Sequence, residues 1–100
     1  MRWALLIEYA GQDFHGWQTQ SAERTVQAVL ESAVSALAAH PVRLHCAGRT
    51  DTGVHALAQV VHFDTVAERP ASAWVRGVNA RLPEDVAVRA AWPVSQAFHA

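Results

Sequence analysis

The chain has 100 residues, 51% hydrophobic and 17% charged, with eight Lys+Arg against nine Asp+Glu for a net charge of −1, which fits one domain with core enough to fold and little to spare. All eight basic residues are Arg, and so near-neutral a balance lacks the basic footprint usual for a nucleic-acid binder. A single cysteine, Cys46, excludes a disulfide framework and a Cys-rich zinc site, and no apolar run reaches signal-peptide or membrane-span length, so a soluble cytoplasmic protein with no membrane association is expected.

Residues 2–10 alternate, with Trp3, Leu5, Ile7 and Tyr9 on one face and Ala4, Leu6 and Glu8 on the other, which predicts a mostly buried strand. Residues 11–24 are polar and show no period, as a long loop does. Thr25 suits an N-cap, and Val26, Val29, Leu30, Ala33, Val34 and Leu37 follow at helical spacing. His40-Pro41 ends this helix, because the residue before a proline is pushed out of the α region. Val42, Leu44 and Cys46 alternate with Arg43, His45 and Ala47, predicting a second strand. A loop from Gly48 to about Ala56 leads to a third, in which Gln59, Val61 and Phe63 alternate with Val60 and His62.

Arg69-Pro70 marks a break. Ser72 is the expected cap of a second helix carrying Trp74, Val75 and Val78, with Leu82 at its far end; Gly77 and Asn79 weaken it. Leu82 to Asp85 reads as a turn, and Val86, Val88 and Ala90 begin a fourth strand ending near Trp92-Pro93. The tail Pro93–Ala100 has no period and reads like a cut chain. The order β-α-β-β-α-β predicts one α+β domain over 1–100, a ferredoxin-like split arrangement with two helices on one face of an antiparallel sheet. Trp3, Phe63 and Trp74 fall on apolar faces and are expected in the core. Arg43, Arg76, Arg81 and Arg89 are expected in solvent. No His spacing suits a metal, and His15, His40, His45, His62 and His99 read as surface or strand residues.

The segment that carries chemistry is Gly48-Arg49-Thr50-Asp51-Thr52-Gly53-Val54-His55-Ala56. It joins two strands that should be neighbours, yet it is about nine residues long where hairpins usually need ~2–5. Gly48 and Gly53 bracket one carboxylate, Asp51, and Arg49 lies two residues before it. Read as a turn, Asp51 bonds its own backbone. Read as Asp-Thr-Gly alone, it suggests a homodimeric retroviral-type aspartic protease. That family is all-β with apolar residues ahead of the motif, which neither Arg49-Thr50 nor the helical period from Val26 to Leu37 matches.

Taken whole, the string resembles the catalytic motif of the tRNA pseudouridine synthase A family. Further blocks match that family in order: Ile7-Glu8-Tyr9 with Gly16-Trp17-Gln18, Thr25-Val26-Gln27, Gln59-Val60-Val61-His62-Phe63, Trp74 with Gly77-Val78-Asn79, Leu82-Pro83 with Asp85, and Phe98-His99-Ala100. The resemblance covers essentially the whole chain. It departs at Ala10, where the family usually has Asp, and at Thr52, where it usually has Ala.

The resemblance implies isomerisation of uridine to pseudouridine in tRNA, at tRNA positions 38, 39 and 40 of the anticodon arm, by a homodimer needing no cofactor and no metal. It implies Asp51 as nucleophile, attacking the ribose or the base. A carboxylate nucleophile must be ionised in a site that excludes water, and Arg49 beside it would favour the charged form. The target nucleotide must leave its stack, at roughly a few kcal/mol, and Arg49 is expected to help hold it out. Its plainer role is an ion pair with Asp51. Substrate contacts are further expected from Trp17, Gln18, Thr52 and His55, with Gly48 and Gly53 shaping the loop. For Trp17 the alternative is packing over the sheet end, and for His55 a structural hydrogen bond. The family pattern continues past Ala100 with a second half that supplies an active-site tyrosine, so these 100 residues are expected to be inactive alone. The competing reading is a non-catalytic ferredoxin-like RNA-binding module. Against it stand the carboxylate in the long loop and central strands without the aromatic pattern of an RRM.

Overall fold

The computed structural model describes residues 1–9, 25–46 and 56–98. In chain order these form β1 (Arg2–Tyr9), α1 (Val26–Ala38), β2 (His45–Cys46), β3 (Ala56–Asp64), α2 (Ala71–Asn79) and β4 (Val86–Val94). The sheet order is β2-β3-β1-β4 with every neighbouring pair antiparallel, which is the expected ferredoxin-like α+β arrangement. Alternation along the central strand β1 decides the layers. Trp3, Leu5, Ile7 and Tyr9 are buried with Val61, Phe63, Val86 and Val88 of the flanking strands, against Val26, Leu30 and Val34 of α1 and Trp74 and Val78 of α2.

Thr25 caps α1 as expected, its Oγ1 accepting from the Ala28 N–H at 3.2 Å. The helix ends one residue ahead of His40-Pro41, at Ala39, which takes the left-handed conformation (φ 62°) and donates its N–H to Ser35. For α2 the expected limits shift. Pro70, not Ser72, is the N-cap, and its carbonyl accepts from Ala73 at 3.0 Å and Trp74 at 3.3 Å. Proline pre-sets the φ that a helix entry needs, so Ser72 falls inside the first turn. Leu82 lies beyond the helix, in a turn where its N–H reaches Asn79 O at 3.1 Å.

Asn79 supplies the reason α2 stops there. Its carboxamide donates to Val88 O at 2.9 Å and accepts from Val88 N at 2.7 Å, filling the hydrogen-bonding edge of the outer strand β4. A residue of low helix propensity is therefore placed where its side chain acts as one rung of a missing strand. Asn79→Ala is expected to lower stability by about 1–3 kcal/mol through two lost bonds and an unpaired Val88. Asn79→Asp, which keeps only the acceptor, is expected to recover little of this; urea unfolding of both variants checks it.

The second strand begins later than its alternation suggests. Val42 and Leu44 do turn into the core, but among the described residues pairing with β3 starts at His45, with His45 and Cys46 opposite His62 and Val61. The N–H groups of Val42 and Leu44 go instead to α1, to Ser35 Oγ at 2.9 Å and Glu31 Oε2 at 2.8 Å. Side-chain acceptors on the helix have replaced a sheet neighbour.

The face of the sheet away from the helices is crossed by the tail. Arg2 donates from Nε and Nη2 to the two oxygens of Asp64, at 2.9 and 3.1 Å, and from Nη1 to the carbonyls of Gln96 at 2.9 Å and Phe98 at 2.6 Å. Hydrogen bonding from Arg2 holds the Asp64 carboxyl below its ordinary range. Phe98 meets the His62 ring edge-on, and His45 stacks on the same ring with centroids 5.1 Å apart. His62 is thus a strand residue as expected but not a surface one, being 4% exposed. Residues 95–98, which show no sequence period, are ordered by Arg2 rather than by a pattern of their own. Arg43, Arg76, Arg81 and Arg89 are exposed, as expected.

Candidate active site

Strand ends gather at one end of the sheet. Tyr9, the last residue of β1, lies opposite Ala56, the first of β3, and opposite Val86, the first of β4. β2 runs toward the same end, since His45 pairs with His62 and Cys46 with Val61. Residues 10–24 follow Tyr9, and residues 47–55 connect Cys46 to Ala56. Both segments singled out from the sequence are therefore attached to this one end. Asp51, Arg49, Thr52, His55, Gly48 and Gly53 belong to one segment and Trp17 and Gln18 to the other. All eight lie outside the described residues.

The described residues form the frame. Register shifts occur in both neighbours of β1 beside Ile7: toward β3 between Ile7 and Tyr9, and toward β4 between Leu6 and Ile7. Such irregularities bend strands and re-aim the residues beyond them, and they recur beside active sites. Tyr9 is buried, and its hydroxyl lies 3.1 Å from Gln59 Oε1, to which it donates, tying β1 to β3 at this end. Thr25 and Gln27, both buried, begin α1, and Gln27 Nε2 donates to Glu31 Oε2 at 3.0 Å. Because Ser35 meets Val42 and Glu31 meets Leu44, α1 runs opposite to residues 42–46, and its start lies toward the Cys46 end.

Several blocks of the family resemblance thus have structural work in the described residues. Thr25 caps, Gln27 meets Glu31, Tyr9 meets Gln59, Trp74 fills the core and Asn79 completes β4. Glu31, Ser35 and Arg2 went unremarked in the sequence, where nothing in a lone Glu, Ser or Arg announces a backbone partner many residues away.

Glu8 pairs with Arg89 at 2.9 Å across β1 and β4, and this bond raises the Arg89 pKa. Both side chains are well exposed, so the pair is a solvated one. Among the described residues no three His, Cys, Asp or Glu converge as metal ligands, and no helix is long and apolar enough to cross a membrane. An apolar recess of about 370 Å³ is lined by Met1, Trp3 and residues 67–70. It opens at the start of β1, six residues or about 20 Å along the strand from Tyr9, and is remote from the candidate site.

The family model described as tRNA pseudouridine synthase matches residues 5–100. Over its full length the chain is 62% identical to tRNA pseudouridine synthase A of Aromatoleum aromaticum, 60% to that of Dechloromonas aromatica and 57% to that of Vibrio cholerae. It spans 38% of the length of each of these relatives. Since the family match runs from within β1 through residues 10–24 and 47–55 and through the later strands and both helices among the described residues, the chain belongs to the tRNA pseudouridine synthase family.

Proposed function

We propose that this chain is the nucleophile-bearing domain of an enzyme that isomerises uridine to pseudouridine in the anticodon stem-loop of tRNA, at tRNA positions 38, 39 and 40, without cofactor or metal. The observation that carries the reading is the family match through residues 47–55, a segment joined to the end of the sheet where β1 and β3 meet. In this reading the Asp51 carboxylate attacks the ribose or the uracil and the N1 glycosidic bond breaks. The freed uracil turns, C5 bonds to C1′ of the ribose, and the bond to Asp51 breaks, which returns the free carboxylate. The C5 hydrogen leaves to solvent and N1 gains one, so the reaction is balanced without a redox partner. Arg49 favours the ionised carboxylate and helps hold the flipped nucleotide. Trp17, Gln18, Thr52 and His55 contact the RNA, while Gly48 and Gly53 let the backbone approach it. The partner is the tRNA anticodon arm, and the working form is a cytoplasmic homodimer of the longer protein.

The sheet face away from the helices weighs against the competing RNA-binding module. RRM platforms use exposed aromatics on the central strands. Here the central strands β1 and β3 present Ala4 and His62, 0% and 4% exposed, where Arg2 also ties down residues 96 and 98.

The test is release of tritium from tRNA labelled at uridine C5, assayed with a full-length protein containing this chain. Release in step with pseudouridine formation is expected. Binding of tRNA with no release would favour the module and overturn the enzyme reading. The 100 residues alone are expected to release nothing measurable. With a net charge of −1 they neutralise few phosphates, so filter binding at about 0.1 M salt should find weak affinity.

A further inference from the structure

We infer that the outer edge of β4 is closed against strand addition by Asn79, the Pro83 carbonyl, a bulge and Pro93, so that a second copy of this chain cannot extend the sheet there. The inference goes beyond the proposed activity and does not depend on it. Among the described residues β4 is the outermost strand on its side of the sheet. The backbone groups along such an edge are a template for another strand. An antiparallel edge also pairs with itself about a two-fold axis, so the first partner it has to refuse is another copy.

The register shows which residues of β4 face outward. In an antiparallel pair, successive residues point their N–H and C=O alternately toward the partner strand and away from it. Val88 has both groups on the Asn79 carboxamide, at 2.7 and 2.9 Å, so it points away from β1. Its partner in β1 is Ile7, and Tyr9, Leu5 and Trp3, at two-residue steps from Ile7, lie opposite Val86, Ala91 and Pro93. Val86, Val88, Ala91 and Pro93 are therefore the outward residues. The longer step from Val88 to Ala91 is the bulge, at the shift between Leu6 and Ile7.

The outward donors are removed in different ways. Val86 gives its N–H to Pro83 O at 3.2 Å, in the turn ahead of the strand. Val88 is held by Asn79. Pro93 has no N–H, and its place on an outer strand is where a sheet tolerates proline. Among the described residues, the Ala91 N–H is the one outward donor that remains for a new strand. The bulge just before it adds local twist, which turns a straight partner away from the edge. A strand laid here would bury carbonyls opposite Val86, Val88 and Pro93 with no donor to meet them, and buried acceptors left unpaired oppose association.

Sedimentation of the full-length protein tests this, from roughly 1 to 100 μM and below the melting temperature of each variant. Wild type is expected to settle to a mass that stops rising with concentration. Asn79→Ala combined with Pro93→Val opens donors at Val88, Ala91 and position 93 in succession. Its mass should exceed the wild-type plateau about twofold or more, the least that pairing of two edges gives. In the associated form the Ala91 amide, open to hydrogen exchange in wild type, should become protected. Should that variant not fold, Pro93→Val alone changes an exposed residue, sets a second donor beside Ala91, and should show the same rise at the top of the range. Val34→Ala is the control, since it removes part of a buried α1 side chain and leaves the edge closed. Compared at equal folded fraction, it should keep the wild-type plateau. The inference is overturned if the opened variants keep that plateau, if Val34→Ala associates as strongly as they do, or if they associate with the Ala91 amide still exchanging freely. Wild type that associates with a protected Ala91 amide overturns it as well.

Discussion

Replacing Asp51 by Asn in the full-length protein is expected to abolish tritium release from uridine C5, by on the order of 10⁴-fold or more, while tRNA binding is kept. Asn has the shape of Asp but neither its charge nor its nucleophilic oxygen pair, so the loss reports chemistry and not packing. Affinity should hold or tighten slightly, because a negative charge is removed from beside the phosphates. At 1.36 kcal/mol per tenfold the loss corresponds to roughly 5 kcal/mol of transition-state stabilisation. The described residues narrow the alternatives. Glu8 is paired with Arg89, Asp64 with Arg2, and Glu31 holds Leu44 and Gln27. Each of these carboxylates has a partner that a covalent role would have to break. Retained turnover in Asp51→Asn, measured with binding in the same preparation, would falsify its assignment as nucleophile.

How much of this was legible in the sequence differs by element, for physical reasons. β1 and α1 were readable because one residue set buries one face, so period alone places Trp3, Leu5, Ile7 and Tyr9, and then Val26 to Val34, in the core. β2 was readable in its side chains and not in where its pairing begins. Alternation records which way Val42 and Leu44 point, while strand pairing depends on where their N–H groups go, and those go to α1. Asn79 looked like a weak helix residue because propensity is local and its partner, Val88, is nine residues on. The tail escaped for a similar reason, since it is ordered by Arg2 at the other end of the chain. For the candidate site, residue identity carried the reading through Asp51 and its bracketing glycines. Topology adds that both segments bearing the expected site residues join the same end of the sheet. The opening balance of charge is compatible with a tRNA-modifying enzyme of which this chain is one part, since the relatives are far longer.

Trp74→Ala is expected to cost about 3–5 kcal/mol, the range for truncating a large buried aromatic. In a domain of this size each kcal/mol lowers Tm by about 4–8 °C, so much of the chain should be unfolded near 37 °C. Trp74 is fully buried, with the Phe63 ring edge-on at 5.1 Å and the Trp3 ring tilted at 6.0 Å. Trp74→Phe separates two effects. It gives up part of the indole area, which opens a small cavity, but it also removes Nε1, a buried donor with no partner among the described residues. Leaving such a donor unpaired costs about 1–3 kcal/mol, comparable in size to the packing lost. The two terms oppose each other, and Trp74→Phe should therefore fall within about 1.5 kcal/mol of wild type in urea unfolding followed by circular dichroism. If Phe proves as damaging as Ala, the indole N–H is satisfied in solution and its ring shape alone dominates the core. Because Trp74 packs against Trp3 and Phe63 near the start of β1, at the opposite end from Tyr9–Ala56, the Phe variant should also keep wild-type kcat in the full-length enzyme. A drop in kcat without a drop in stability would mean that the aromatic cluster and the frame of the site move together.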